Sequence, residues 1–326
     1  MSESGESRKF ISVIVPFCNN EKEIEKCCES LLGQRYPADR FEIIFVENNS
    51  GDSSASIVAA HSRIRLLSES QPGPYAARNH GLANSRGEII AFTDADCVAA
   101  PDWLENIAAE MEDPGLCILM GSYCTNHARF PVSALSAYEN AKNRYIFSSL
   151  DESLYYGYTN NMAVRRDVFD RLGEFPSRMR GGDAMLVRRQ VRAQGVGTIR
   201  FLASMRVEHL EFQSIFDYYR KVFVHSRSIC SLRSISPLRP LSNAERLDAF
   251  RAMGEHEGYS TVQSALVFSI LIAGLGAWMA GSFSGIKNAG APQRSHNSFG
   301  QAPQPQRTGE RRNPQSGSRN KSAEVV

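Results

Sequence analysis

Along residues 10–201, short apolar runs alternate with stretches in which apolar side chains recur every three or four positions. That alternation predicts a mostly parallel sheet covered by helices. The first unit is a β-branched run, Phe10 to Val15, closed by Pro16. A helix over Glu21 to Leu32 follows, with Ile24, Cys27, Cys28, Leu31 and Leu32 on one face. A second strand, Phe41 to Val46, ends in the polar turn Glu47 to Asp52, and a short helix runs through Ile57 and Val58. Ile64 to Leu67 reads as a weak third strand. Pro72-Gly73-Pro74 opens a helix over Ala76 to Ala83, and the apolar run Glu88 to Thr93 delivers Asp94-Ala95-Asp96 at its end. Further on, helices are expected at Trp103 to Met111, Ser136 to Phe147, Arg166 to Leu172 and Asp183 to Ala193, with a strand near Thr198 to Phe201.

Beyond residue 212 the pattern changes. Ile215, Phe216, Tyr219, Val222, Phe223 and Ile229 form an apolar stripe beside Arg220, Lys221, His225, Arg227 and Arg233. Two readings fit: a helix lying on anionic lipid, or one packed on the body with a solvated basic face. Val262 to Ala280 is nearly all apolar within an uncharged stretch from Gly258 to Ile286, and about 20 such residues cross a bilayer. One transmembrane helix is expected, with a buried or re-entrant segment as the alternative. After Gly281 the chain is rich in Ser, Asn, Gln, Gly and Pro, with seven basic residues against two acidic ones, which predicts disorder. The expected units are a disordered 1–9, a catalytic domain 10–212 divided near residue 100, a basic amphipathic region 213–257, the apolar helix 258–281 and a basic tail 282–326.

Composition narrows the class. The 326 residues carry 37 Lys+Arg against 35 Asp+Glu, a net +2, and 42% are hydrophobic. This is ordinary globular material, without the concentrated charge of a nucleic-acid binder. Seven cysteines with no C-x-x-C pair argue against a disulfide framework or a structural zinc site. The polar stretch Met1 to Lys9 has no apolar run of a secretory signal, so the body is expected in the cytoplasm.

Candidate chemistry centres on Asp94-Ala95-Asp96. Two carboxylates at i and i+2 after a core strand can share a hard divalent cation; alternatively they cap the next helix. In an open parallel sheet, Pro16 to Glu21, Glu47 to Asp52, Arg78 and Asn79 can converge on the same crevice. A metal pair, a guanidinium and amides together suit a nucleotide diphosphate.

The blocks Ile11 to Pro16, Phe45 to Asp52, Gly73 to Gly81, Arg86 to Asp96, Asn161 to Arg166 and Gly181-Gly182-Asp183 jointly resemble the family 2 glycosyltransferases of the GT-A fold. The resemblance implies an α/β, Rossmann-like, mostly parallel sheet with helices on both faces, here followed by the C-terminal hydrophobic helix. It implies donor contacts at Pro16, Asn19, Glu21, Glu47, Asn49, Arg78, Asn79, Asp94 and Asn161. Glu47 stands where Asp is more usual. Asp96 is implied as the principal ligand of Mg²⁺ or Mn²⁺, with Asp94 and His209 beside it. Asp183 is implied as the catalytic base; as a bare residue it reads better as a helix cap, and Gly182 stands where the family usually has Glu. Cys97 reads as packing.

The activity so implied is inverting transfer of one sugar from a UDP- or GDP-sugar to a glycan or lipid-linked hydroxyl, in surface polysaccharide or glycolipid synthesis. Single addition is favoured because the chain lacks the Gln-x-x-Arg-Trp motif and multiple spans of processive synthases. The implied location is the cell membrane, with the catalytic domain on the cytoplasmic side and no nucleic-acid partner. Two alternatives remain: an inactive membrane-attached nucleotide-sugar binder, and a haloacid-dehalogenase-like phosphatase using Asp94 and Asp96.

Overall fold

The computed structural model describes residues 8–124, 130–177, 181–210, 214–232 and 239–288. The expectations of disorder for the chain ends therefore fall mostly outside the described residues. The strands are β1 (Ile11–Phe17), β2 (Phe41–Glu47), β3 (Ile64–Ser68), β4 (Ile89–Thr93), β5 (Cys97–Ala99), β6 (Ile118–Cys124), β7 (Asn161–Arg165) and β8 (Ile199–His209). The helices are α1 (Ile24–Leu32), α2 (Ser54–Ala59), α3 (Pro74–Ala83), α4 (Trp103–Glu110), α5 (Phe130–Ser148), α6 (Arg166–Leu172), α7 (Gly182–Gln194), α8 (Ile215–Leu232), α9 (Asn243–Glu257) and α10 (Thr261–Asn288).

Among the described residues the strands form one sheet in the order β3-β2-β1-β4-β7-β6-β8-β5. The β3-β2-β1-β4 half is parallel throughout, and β7 enters antiparallel to both β4 and β6. The sheet is therefore mixed, with its parallel part where the apolar runs predict it. The strand alternation divides the core between two faces. Ile11, Val13, Val15 and Phe17 of β1 pack with α1 and α4, while Ile14, Ile44, Val46, Ile90 and Phe92 pack with α3, α6 and α7. Helices thus cover both faces.

Pro16 does not end β1, contrary to expectation. It stays in register with Val46, beyond the point where the ladder to β4 stops at Ile14. The helix expected from Ser136 begins at Phe130, and the strand expected near Thr198 to Phe201 runs on to His209. β5, β6 and β7 were not expected as strands. The expected apolar span is α10, the one helix among the described residues long and apolar enough to cross a membrane. The amphipathic segment is α8, and its main packing partner is α10.

Candidate active site

The chain order turns back on itself at β1: β2 and β3 are added on one side and β4 on the other. Ligands bind outside the carboxyl ends of strands at such a reversal. A pocket of about 230 Å³ opens there, lined by Pro16, Phe17, Asn20, Asn48, Pro74, Arg78, Asp94, Ala95 and Asp96. Pro16 and Phe17 come from the end of β1. Asp94, Ala95 and Asp96 form the turn after β4, closed by the Cys97 N–H donating to the Asp94 carbonyl (3.0 Å). The Leu210 N–H donates to the Asp96 carbonyl (2.8 Å), tying this turn to the end of β8.

Arg78, on α3, is 4% exposed, and its Nη2 donates to Asp94 Oδ1 at 2.5 Å. The two acids after β4 are therefore not left to a cation alone; a guanidinium already answers one of them. Arg78 Nε is buried without a hydrogen-bond partner, an unspent donor on a residue that lines the pocket. The guanidinium also lies 5.4 Å from the centre of the Tyr75 ring.

Tyr75 connects this pair to Asp183. Its hydroxyl is turned towards the Asp183 carboxylate. Asp183 is the second residue of α7, and its Oδ1 accepts the Ala184 N–H at 2.8 Å. Burial holds the Asp183 pKa above the usual carboxylate value, opposed by the Tyr75 hydroxyl, the Ala184 N–H and the charge of Arg78. Burial and the nearby Asp183 charge push the Tyr75 phenol up as well. A Cβ on Gly182 would lie 3.2 Å from Tyr75 ring atoms, so the glycine makes room for the ring.

At the other edge of the pocket, Asp96 Oδ2 lies 3.6 Å from His209 Nδ1. Donor atoms of Asp96, Cys97 and His209 all fall within 4.8 Å of one another. A carboxylate and an imidazole are donors that can hold a divalent cation. Cys97 is fully buried in the core, and burial plus the neighbouring Asp96 and Asp94 hold its thiol far above its usual pKa. A thiol so disfavoured from ionising is a packing residue beside the pair. Asp94, expected as a ligand too, faces Arg78 instead.

Other expected donor contacts have different partners. Asn19 and Asn49 adopt left-handed backbone (φ 57° and 65°), which asparagine tolerates, and Asn19 Oδ1 accepts the Gly51 N–H at 2.8 Å. Asn49 Nδ2 donates to the Ser70 carbonyl, and Glu21 accepts the Ser53 N–H. The Glu47 carboxylate accepts the Ser50 N–H and, at 2.9 Å, the Ser68 hydroxyl. Asn79 exchanges two hydrogen bonds with the Phe175 backbone. Asn161 is fully buried: Oδ1 accepts from Trp103 Nε1, and Nδ2 donates to the Ser122 and Met205 carbonyls. None of these six side chains lines the pocket; they hold the loops and strands that shape it. Asn48, in the turn after β2 but not among the implied donor contacts, does line it. Its Nδ2 donates to the Glu69 and Gln71 carbonyls and its Oδ1 accepts the Gly73 N–H, fixing the loop that leads into α3.

The model of glycosyl transferase family 2 matches residues 12–173. Glycosyltransferase AglE of Haloferax volcanii is 32% identical over 190 residues, covering 56% of this chain and 62% of that protein. The putative glycosyltransferase EpsH of Bacillus subtilis is 28% identical over 167 residues, 49% of this chain and 48% of that one. The chain thus spans less than two thirds of the length of either relative. Among solved structures, the mannosyltransferase PcManGT from Pyrobaculum calidifontis, in complex with GDP-Man and Mn²⁺, superimposes with a TM-score of 0.59 at 18% identity. That likeness covers 87% of this chain and 89% of that one, and concerns the fold. Pocket position, sheet order and the family match agree: over residues 12–173 the chain belongs to glycosyl transferase family 2.

Proposed function

We propose that the chain transfers a single sugar, with inversion, from a UDP- or GDP-sugar to a hydroxyl of a glycan or lipid-linked acceptor. The setting is surface polysaccharide or glycolipid synthesis at the cytoplasmic face of the cell membrane. One observation carries the reading. A pocket at the sheet reversal bears Arg78 and Asp94 on one wall and Asp96 on another, and a carboxylate of raised pKa, Asp183, stands just beyond Tyr75.

Arg78, a guanidinium among the pocket's lining residues, suits a diphosphate there. Asp94 holds that guanidinium in place and can exchange it for a ribose hydroxyl. A divalent ion, Mg²⁺ or Mn²⁺, held by Asp96 and His209, would neutralise charge on the leaving diphosphate. Asp183 accepts the acceptor proton as the acceptor oxygen bonds to the anomeric carbon, and the bond to the diphosphate breaks with its electron pair going to the nucleotide. No second carboxylate is needed as nucleophile, so the configuration inverts. The PcManGT complex, with its GDP-sugar and Mn²⁺, supports a donor of this chemical kind. The phosphatase alternative finds no support in a chain matched to family 2 over this region.

The test is release of nucleoside diphosphate by the full-length protein from a panel of UDP- and GDP-sugars, with and without Mn²⁺. Metal-dependent release with one donor, lost in Asp96→Ala, is expected. Donor binding with no release and no transfer would instead identify a binding protein.

A further inference from the structure

The C-terminal helix has two unlike faces. Val267 sits among Ala134 and Tyr138 of α5 and Ala249 and Met253 of α9. The Ile270 carbonyl accepts from the Tyr219 hydroxyl of α8 at 3.1 Å. Further along, a Cβ on Gly281 would fall 2.3 Å from the Phe223 carbonyl oxygen, so the two backbones touch there. Tyr219 meets Ile270 and Phe223 meets Gly281, so α8 and α10 run side by side in the same direction. The opposite face of α10 presents Phe268, Ile272, Leu275 and Met279, each 40% exposed or more. Their spacing, i, i+4, i+7 and i+11, makes one continuous apolar stripe.

A crossing helix places its midpoint about 15 Å below the membrane surface. Ile270 is near the midpoint of α10 and bonds to Tyr219, two residues from Lys221. Lys221 Nζ is 3.0 Å from His209 Nε2, at the edge of the pocket. Crossing in this arrangement would draw His209 and Asp96 towards hydrocarbon depth. Lying flat buries the stripe and leaves the pocket in water.

We propose that the α8–α10 pair is a docking surface for an anionic bilayer, with α10 lying in the interface by its Phe268-Ile272-Leu275-Met279 stripe and not crossing. Charge favours lipid over a second copy of the chain. Arg220 is exposed on α8, and residues 289–326, immediately after α10, hold six basic residues against two acidic. Anionic headgroups attract that charge, whereas two copies stacked stripe to stripe would set it against itself. The docking stands independently of the transfer chemistry. Given that chemistry, it sets the pocket at the membrane surface, where a lipid-linked acceptor meets it without leaving the bilayer.

The test is flotation of full-length protein with sealed vesicles of phosphatidylcholine, alone or mixed with phosphatidylglycerol, and protease access to a C-terminal tag. Flotation with the mixed vesicles, reduced by salt, and a tag cleaved from the same side as the catalytic body are expected. Ile272→Glu with Leu275→Glu should lower the floated fraction about tenfold or more. Thermal unfolding and donor hydrolysis should be unchanged. If that pair aggregates, Leu275→Ser alone should give a smaller loss in the same direction. A tag shielded by the bilayer, equal flotation of the variants, or a soluble dimer dissociated by the same substitutions would overturn the proposal.

Discussion

Lys221 Nζ approaches His209 Nε2 to 3.0 Å, across the imidazole from the nitrogen that faces Asp96. With Lys221 as the donor, Nε2 would accept and the ring proton would sit on Nδ1. A metal at Nδ1 needs the other tautomer. In the proposed mechanism Lys221 and a divalent ion would therefore compete for the same imidazole. Lys221→Met should lower the Mn²⁺ concentration for half-maximal nucleotide release by about tenfold, the scale on which partners of ligating histidines act. An unchanged or higher requirement would show that His209 is not a ligand.

Asp183→Asn should reduce turnover by about a hundredfold or more, with little change in donor binding, because it removes only the proton acceptor. The wild-type pH profile offers a second check. As the proposed base, Asp183 would work only when ionised, and burial raises its pKa. Activity should thus be lost, as pH falls, at a higher pH than an exposed aspartate would give. For stability the sign is opposite: the folded pKa lies above the unfolded one. The charged carboxylate costs stability above its folded pKa, and the cost is relieved as pH falls through that value. Calorimetric and kinetic pH titrations of wild type and Asp183→Asn separate the two effects.

Tyr75→Phe keeps the ring against Gly182 and removes the hydroxyl that favours the ionised Asp183. The acid limb of kcat/KM should move to still higher pH, with only a modest change in melting temperature. A profile identical to wild type would mean that Tyr75 only fills space.

Gly182→Glu restores the acid usual in the family but meets the Tyr75 ring at its Cβ. It should destabilise the fold by about 1–3 kcal/mol, the common cost of overpacking, and reduce activity. Adding Tyr75→Ala should recover part of the stability; denaturant melts of the single and double variants decide it.

The parallel half of the sheet was legible because β1, β2 and β4 are apolar runs buried on both faces, β4 at every position, while the half-exposed β3 gives a weaker signal. β5, with three residues, carries no periodicity. β7 draws its partners from β4 and β6, strands some 40 to 70 positions away in the chain. In the pocket, Pro16, Arg78, Asp94 and Asp96 announce themselves by residue type at strand ends or within a distinctive block. Asn48 does not, since its work is to bind three backbone groups of a loop that exists only once β3 is in place. Asn161 shows the reverse: an amide that reads as a sugar contact is saturated by an indole and two carbonyls.

The inner side of α5 serves the sheet, through Ile146 and Phe147, and its outer side is roofed by Ala249, Met253 and Val267. Arg239 adds a clasp, bridging Asp151 and Glu245 at 2.7 Å each. Trimming the polypeptide near residue 212 would therefore strip an apolar wall bare instead of releasing a self-sufficient transferase. What looks like a dispensable anchor is the last part of the body to be built.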